Sequence, residues 1–202
     1  MRLLHIDASP RRDSISRQLT ASFVANWKKK NPDSEVTYRD LGTTPNPLVT
    51  EAWIQGQYTD PTKRSHAQQE AINVSDILIA ELTSADVIVI GDPMHNFGIS
   101  APLKTWIDQV VRMGKTFSYG ASGPQGLVTG KKVFVLTSRG GSYAAGTPFA
   151  QFDFQEPHLR TILGLIGLAD VTFIHAENQN RPDLAAAGKA AALQKIEEVV
   201  AR

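Results

Sequence analysis

Hydroxyl and guanidinium groups cluster in a short stretch directly after the first apolar run of the chain. Ser9, Arg11 and Arg12 are followed by Ser14-Ile15-Ser16, where a helix-like pattern begins. The first turn of a helix offers unpaired N–H groups and the positive end of the helix dipole, which together bind phosphate well. Ordinary capping of the helix by Ser14 is the alternative. The number of hydroxyls and the arginine pair favour the phosphate site.

A second candidate segment mixes apolar side chains with an amide. Residues 93–99 read Pro-Met-His-Asn-Phe-Gly-Ile and follow a continuous β-branched run. Such a loop can hold a flat ring that carries hydrogen-bonding groups along its edge. It can equally be a tight turn in which Met94 and Phe97 anchor the loop to the core. The residues alone leave both interpretations open.

The third segment carries paired glycines after another apolar run, in the order Ser138-Arg139-Gly140-Gly141. Paired glycines let the backbone approach a ligand closely, although a flexible turn explains them too. The following residues miss the GxSxG pattern of serine hydrolases by one position. No Ser/His/Asp set can be assembled around the histidines of the chain. These observations disfavour a hydrolase.

Alternating strand-like and helix-like segments predict the elements that position these loops. The predicted strands cover residues 3–7, 35–39, 87–90, 133–137 and 171–175. The predicted helices cover residues 14–30, 66–83, 102–113, 159–168 and 183–201. This alternation indicates an α/β fold with a parallel sheet of order 2-1-3-4-5 and helices on both faces. Ligands of such sheets bind at the carboxyl ends of the strands, where all three loops would meet.

Two longer stretches have no clean period. Residues 41–64 are punctuated by prolines and contain Trp53 and Tyr58, and residues 114–130 are rich in glycine. Connections of this length in a domain are often functional or part of an interface. For residues 41–64, a surface excursion capped by a short helix is the alternative. We expect both to shape a substrate pocket and a subunit contact.

Composition excludes several classes of protein. The chain has 202 residues and no cysteine, which removes disulfide scaffolds, zinc ribbons, iron–sulfur clusters and thiol nucleophiles, and no metal site is expected. Lys+Arg is 21 and Asp+Glu is 20, so the net charge of +1 argues against a nucleic-acid partner. The longest apolar stretch, residues 162–169, is far shorter than the roughly 20 residues that span a bilayer. We expect one domain over residues 1–202, acting in the cytoplasm without a membrane partner.

The three loops in this order resemble the FMN-dependent NADH-azoreductases, which are flavodoxin-like quinone reductases that act as homodimers. The resemblance extends over nearly the whole chain and includes residues 114–119 and 123–132. It implies a flavodoxin-like three-layer sandwich. It also implies one FMN per subunit and NADH or NADPH as the electron donor.

The resemblance assigns three groups of residues to the FMN site. The phosphate is bound by Ser9, Ser14, Ile15 and Ser16, and the isoalloxazine ring and ribityl chain are contacted by Met94, His95, Asn96 and Phe97. The other edge of the ring system is contacted by Ser138, Arg139, Gly140 and Gly141. Tyr119 matches an aromatic residue near the substrate pocket of the family. His95 departs from the family, which commonly has tyrosine there, so substrate preference and flavin tuning are open. No side chain is singled out as catalytic, although His95 and Tyr119 are candidates for the substrate pocket.

The implied activity is a ping-pong reaction in which quinones are reduced by two electrons and aromatic azo compounds are cleaved. Two alternatives remain from the sequence. A flavodoxin-like carrier would pass single electrons to a protein partner, but such carriers are usually strongly acidic. A flavin-binding sensor without enzymatic activity would use the same loops.

Overall fold

The computed structural model of the protein describes residues 1–121 and 123–201. Its strands, in chain order, are β1 (Arg2–Asp7), β2 (Glu35–Asp40), β3 (Val87–Pro93), β4 (Phe117–Gly120), β5 (Gly123–Gly126), β6 (Lys132–Ser138) and β7 (Asp170–Ala176). Five of them form a parallel sheet in the order β2-β1-β3-β6-β7. Counted within that sheet alone, this is the predicted order 2-1-3-4-5, which is therefore confirmed.

Six α-helices lie in the described part of the chain: α1 (Ile15–Lys30), α2 (Glu51–Tyr58), α3 (His66–Ser84), α4 (Ala101–Val110), α5 (Gln155–Leu165) and α6 (Ala185–Ala201). Several begin at a serine whose side chain accepts a hydrogen bond from the first turn. Ser14 caps α1, Ser65 caps α3 in a reciprocal capping box with Gln68, and Ser100 caps α4. These caps satisfy backbone donors that helix geometry leaves unpaired.

Alternate residues of each strand bury opposite faces of the sheet. Leu3 and Val89 belong to a core cluster with α1 and α6. Leu4 and Ile90 belong to a second cluster with α3, α4 and α5. All seven residues of β3 are buried, as a strand covered on both faces requires. The sheet is thus packed between two layers of helices, and its carboxyl edge is left for the loops.

The two irregular stretches contain elements that periodicity did not predict. Within residues 41–64, α2 is anchored by the buried Trp53, whose Nε1 donates to Gln109 Oε1 at 2.8 Å. Within residues 114–130, β4 and β5 form an antiparallel hairpin. This hairpin passes so close to the end of α5 that a Cβ on Gly126 would lie 2.1 Å from the backbone of Gly167.

Three predicted helix ends were wrong by three or four residues. The helix α5 ends at Leu165 rather than residue 168, and side-chain hydrogen bonds explain the other two differences. The helix α4 ends at Val110 rather than Met113, because Thr116 accepts from the amide of Arg112 at 3.0 Å and donates to the Val110 carbonyl at 2.7 Å. The helix α5 begins near residue 155 rather than 159, because Asp153 Oδ1 accepts from its first amides at 3.0 and 3.1 Å. In the described ranges, no helix is long and apolar enough to cross a membrane.

Candidate functional site

The loops that follow β1, β3 and β6 meet at the carboxyl edge of the sheet around one cavity, which we call the loop cavity. Its volume is about 430 Å³, which falls in the range of roughly 300–1,000 Å³ typical of small-molecule sites. Among the described residues, its lining contains no acidic side chain, so it suits an anionic ligand. The lining is formed by Ser9, Pro10, Arg11, Ser14, Ile15, Pro93, Met94, His95, Ser138, Arg139, Gly140, Gln179 and Asn180.

The first loop presents hydroxyls and helix amides at one end of the loop cavity. Ser9, Ser14 and Ser16 are all buried, and the hydroxyls of Ser14 and Ser16 lie 3.4 Å apart. Ser14 Oγ accepts from the amide of Arg17 at 3.3 Å, so the capping interpretation is correct as far as it goes. The amides of Ile15 and Ser16 lie in the first turn, where helix geometry supplies no acceptor. Capping and anion binding are therefore compatible here.

The first loop is held in place by Arg17, a residue that motif reasoning missed. Its guanidinium donates to the Ser9 carbonyl from Nε at 3.0 Å and from Nη2 at 2.6 Å. Nη1 of the same group donates to Asp40 Oδ2 at 3.0 Å. Although burial raises the pKa of Asp40, its hydrogen bonds from Arg17 and Thr43 outweigh this and lower the pKa to about 2. Gly42 also packs here, and a Cβ on it would lie 1.9 Å from the Ser9 oxygen.

The second loop contains a tight two-residue turn. The backbone groups of His95 and Gly98 exchange hydrogen bonds of 3.0 Å in both directions. The central residues Asn96 and Phe97 have φ of 48° and 69°. Asparagine tolerates the left-handed region, but an aromatic residue there is strained, and such strain clusters at functional sites. The turn is thus specified by its surroundings as well as by its own sequence.

The third loop is paired with the loop that follows β7. The amides of Gln179 and Asn180 donate to the carbonyls of Arg139 and Gly140 at 2.9 and 3.1 Å. A Cβ on Gly140 would lie 2.5 Å from Asn180 Nδ2, so the glycine permits close approach of these loops. Gln179 and Asn180 were not predicted as site residues. The available signal was topological, since β7 ends at the same edge of the sheet.

The side chain of Arg139 is directed into the protein. It is 1% exposed, and it donates from Nη1 to Asp153 at 2.9 Å and from Nε to Gln155 at 3.2 Å. A neighbouring half-buried histidine, His175, lies between the Thr137 hydroxyl at 2.7 Å and a Glu156 carboxylate oxygen at 2.8 Å. Burial and the nearby Arg139 lower the pKa of His175. The hydrogen bonds of Arg139 and His175 thus support the third loop from the protein interior.

A larger cavity of about 900 Å³ adjoins the loop cavity, and we call it the adjacent cavity. His95 lines both cavities, and Asn96 lines only the adjacent one. The remaining predicted residues Ser16, Phe97, Gly141 and Tyr119 are outside both linings. Tyr119 lies on the hairpin with 70% of its surface exposed, and its nearest aromatic neighbour is Phe117. The structure therefore brings most of the predicted residues together, but not Tyr119.

Comparisons with known proteins agree with this architecture. A protein family described by its flavodoxin-like fold matches residues 1–200. An FMN-dependent NADH:quinone oxidoreductase of a Nostoc species is 53% identical over 180 residues, which cover 88% of this chain and 87% of the relative. A protein of the same name from Nostoc punctiforme is 44% identical over 201 residues, covering 99% and 98% of the two chains.

A solved structure shows the same similarity. The crystal structure of an azoreductase from Bacillus anthracis superposes with a TM-score of 0.91 at 29% identity, covering 99% of this chain and 98% of the other. The fold, the site at the carboxyl edge and these relatives agree with the resemblance found in the sequence. The chain belongs to the flavodoxin-like family, in the group of the FMN-dependent NADH:quinone oxidoreductases and azoreductases.

Proposed function

We propose that this protein, as one domain over residues 1–202, is an FMN-dependent enzyme that reduces quinones with electrons from NADH or NADPH and cleaves aromatic azo compounds. The observation that carries the proposal is the loop cavity. It joins the helix N-terminus and hydroxyls of the first loop with Met94 and His95 of the second loop and with residues 138–140 of the third loop in one space. The names of the relatives support the same activity.

The residues of the loop cavity fit FMN. The hydroxyls of Ser9 and Ser14 and the first-turn amides of Ile15 and Ser16 are donors suited to a phosphate dianion. Arg11 lines the same end and adds positive charge. Met94 and His95 of the second loop and residues 138–140 of the third loop also line the cavity, and two such loops suit a flat ring with hydrogen-bonding groups on its edge.

When bound, FMN supplies the redox chemistry by accepting two electrons from the nicotinamide and passing them to the acceptor in a second half-reaction, which is a ping-pong order. The protein binds and orients the reactants around it. The amides of His95 and Gly98 bind each other's carbonyls, so the amides of the central residues Asn96 and Phe97 are the ones that can stabilise negative charge on the ring, as in an oxyanion hole. Of the residues lining the loop cavity, His95 is the one histidine. We assign it a packing or hydrogen-bonding role, with water as a sufficient source of protons.

The adjacent cavity is the proposed place of the acceptor and the nicotinamide. Its wall is apolar at Leu48, Ile99 and Phe154, and it carries polar groups at His95 and His158. An apolar pocket with a few polar groups suits a planar quinone or azo dye. Because the donor and the acceptor would use the same space in turn, no separate dinucleotide motif is needed.

We further infer that the enzyme is a homodimer, as its resemblance to the azoreductases implies. In support, Tyr119, Phe149 and Phe154 are exposed at the surface of the single chain. Dimerisation through residues 41–64 and 114–130 would bring Tyr119 to a substrate pocket. The requirement for NAD(P)H favours the cytoplasm as the place of action.

Reconstitution with FMN tests the proposed function. The protein should bind FMN and then oxidise NADH steadily when a small quinone is added. Replacing Ser14 and Ser16 together by alanine should weaken FMN binding about tenfold or more, since charge-assisted hydrogen bonds to phosphate are lost. Bound FMN without turnover would favour a sensor, and turnover only with a protein acceptor would favour an electron carrier.

A further inference from the structure

A fully buried carboxylate lies directly before the second loop, where neither the sequence motifs nor the proposed reaction gives it a role. Asp92 is the penultimate residue of β3 and is 0% exposed. Burial raises its pKa to about 6, against the opposing effect of hydrogen bonds from Ser100 and Gln155. A buried carboxylate destabilises a fold unless its partners compensate it. Because Asp92 lies at the start of the second loop, its hydrogen bonds with Ser100 and Gln155 can fix the position of that loop.

The Asp92 carboxylate joins the two ends of the second loop. The amide of Ser100, on the far side of residues 93–99, points at both carboxylate oxygens from 3.3 and 3.4 Å. Ser100 also caps α4, so the hydrogen bond ties the loop to a rigid helix. Between these two fixed points lies the turn in which Asn96 and Phe97 hold a positive φ. Such a turn persists when its surroundings over-determine it.

Gln155 connects the Asp92 carboxylate to the third loop. We call the hydrogen-bonded set of Asp92, Ser100, Gln155 and Arg139 the brace. Gln155 Nε2 donates to Asp92 Oδ2 at 2.9 Å and also to the Asp92 backbone carbonyl at 3.3 Å, and its Oε1 accepts from Arg139 Nε at 3.2 Å. Arg139 in turn binds Asp153, whose other oxygen caps the first turn of α5. Between Asp153 and Gln155, the amide of Phe154 donates to the Phe97 carbonyl at 3.0 Å. The chain of contacts therefore reaches the strained turn from two sides.

The hydrogen bonds in this chain have a fixed direction. Arginine only donates, so the oxygen of the Gln155 amide must face Arg139 and its nitrogen must face Asp92. Position 92 must then accept from both Gln155 and Ser100, which a carboxylate can do. An asparagine there has only one accepting oxygen and would set its NH₂ group against a second donor. Substitution at position 92 therefore breaks the brace without changing the size of the side chain.

We propose that Asp92 and Gln155 are positioning residues that fix the second and third loops relative to each other and thereby shape the FMN site. This inference rests on the proposed FMN binding. Neither residue lines the loop cavity, so they act through Met94, His95 and Arg139, which do.

Exchanging the carboxylate and the amide between positions 92 and 155 gives a specific test. Asp92→Asn should weaken FMN binding about tenfold, through a mismatched donor pair. Gln155→Glu should weaken it similarly, because two buried carboxylates would face each other. In the double variant Asp92→Asn/Gln155→Glu, the new amide at position 92 donates to the new carboxylate at position 155, which still accepts from Arg139. FMN affinity should return to within about threefold of that of the parent protein.

The control is the same substitution at Asp86, the residue directly before the opposite end of β3. Asp86 Oδ2 accepts from the amide of Arg2 at 2.8 Å and lies far from the loops along β3. Asp86→Asn should leave FMN affinity unchanged. Equal affinity of Asp92→Asn and the parent protein would overturn the proposal, and so would a double variant as weak as the worse single variant.

Hydrogen exchange of the protein without FMN separates this inference from the proposed function. Amides of residues 94–99 should exchange faster in Asp92→Asn and recover their protection in the double variant. If the protein shows this exchange pattern but binds no FMN, the proposed cofactor is refuted and the positioning role of Asp92 and Gln155 is supported. FMN binding together with unchanged exchange in Asp92→Asn would refute the brace and keep the cofactor.

Discussion

At the scale of single residues, the turn at Asn96 and Phe97 shows where local preference and tertiary structure disagree. Two-residue hairpin turns with positive φ at both central positions favour Asn-Gly. The chain has phenylalanine at the second position, with φ of 69°, and its ring is 44% exposed. The ring lies 5.4 Å from Phe152 and 6.2 Å from Tyr143, measured between centroids. Phe97 itself lines neither cavity, but its neighbours Asn96 and Gly98 line the adjacent cavity. We therefore propose that the exposed Phe97 contributes a contact with the flavin or its substrate rather than stability.

Phe97→Gly tests this interpretation. Relief of the left-handed conformation, about 1–2 kcal/mol, should offset the lost ring contacts, so the unfolding temperature should not fall. The kcat/KM for a quinone should fall about fivefold, as expected for an aromatic contact of about 1 kcal/mol. Thermal melts and steady-state kinetics measure the two effects. A less stable variant with unchanged kcat/KM would contradict the prediction.

The buried Asp92 should also make the stability of the protein depend on pH. Its pKa is about 6 in the folded protein, against 3.8 for the ordinary carboxyl group. Between these values the folded state binds more protons than the unfolded state, so the free energy of unfolding contributed by this group falls as the pH rises from about 4 to about 6. The change is up to about 3 kcal/mol. No charged side chain contributes to the shift, which arises from burial and is reduced by the hydrogen bonds from Ser100 and Gln155.

Urea unfolding of the parent protein and Asp92→Asn at several pH values measures this contribution. As the pH rises from 4 to 6, the free energy of unfolding of the parent protein should fall relative to that of Asp92→Asn. Above about pH 7 the difference between the two proteins should be constant. Parallel curves over the whole range would show that Asp92 does not titrate there.

At the scale of elements, the first loop depends on neighbours that no phosphate-binding motif contains. Ser9 is fixed by Arg17 from α1 and by Gly42, which follows β2. The hydroxyls themselves could be predicted, because serines between a strand and a helix have a known chemistry. The bracing residues could not be predicted, because their role arises from pairing β1 with β2, and nothing in the residue types of Arg17 or Gly42 marks it.

Gly42→Ala should therefore disturb the site from a distance. The added Cβ would lie 1.9 Å from the Ser9 oxygen and must displace that backbone. We expect a loss of about 1–3 kcal/mol in stability, typical of overpacking, and FMN binding weakened about tenfold. Gly164→Ala in α5 is the matched control, because no atom lies within 4 Å of the position of its Cβ. If both variants bound FMN equally, Gly42 would have no part in shaping the loop.

At the scale of the whole molecule, the order of the sheet and the meeting of the three loops could be predicted from the sequence. Continuous apolar runs such as that of β3 identify strands covered on both faces, and alternation with helices fixes the topology. The hairpin at residues 117–126 could not be predicted. Its residues have no strand periodicity, and its position depends on the close passage of Gly126 over Gly167, residues remote in sequence.

The same reasoning explains why the contents of the loop cavity were predicted only in part. The first, second and third loops carry recognisable residue types, whereas Gln179 and Asn180 enter through topology alone. Tyr119 was expected at a substrate pocket, and in the single chain it is exposed on the hairpin. Its proposed role therefore depends on a second subunit.

The most direct test of the central claim is the visible spectrum of the FMN-reconstituted protein before and after anaerobic addition of NADH. We predict that the protein retains FMN through gel filtration, that NADH bleaches the flavin absorbance, and that a quinone added afterwards restores it. A protein that loses FMN on the column, or whose bound FMN is not bleached by NADH or NADPH, would contradict the proposed function.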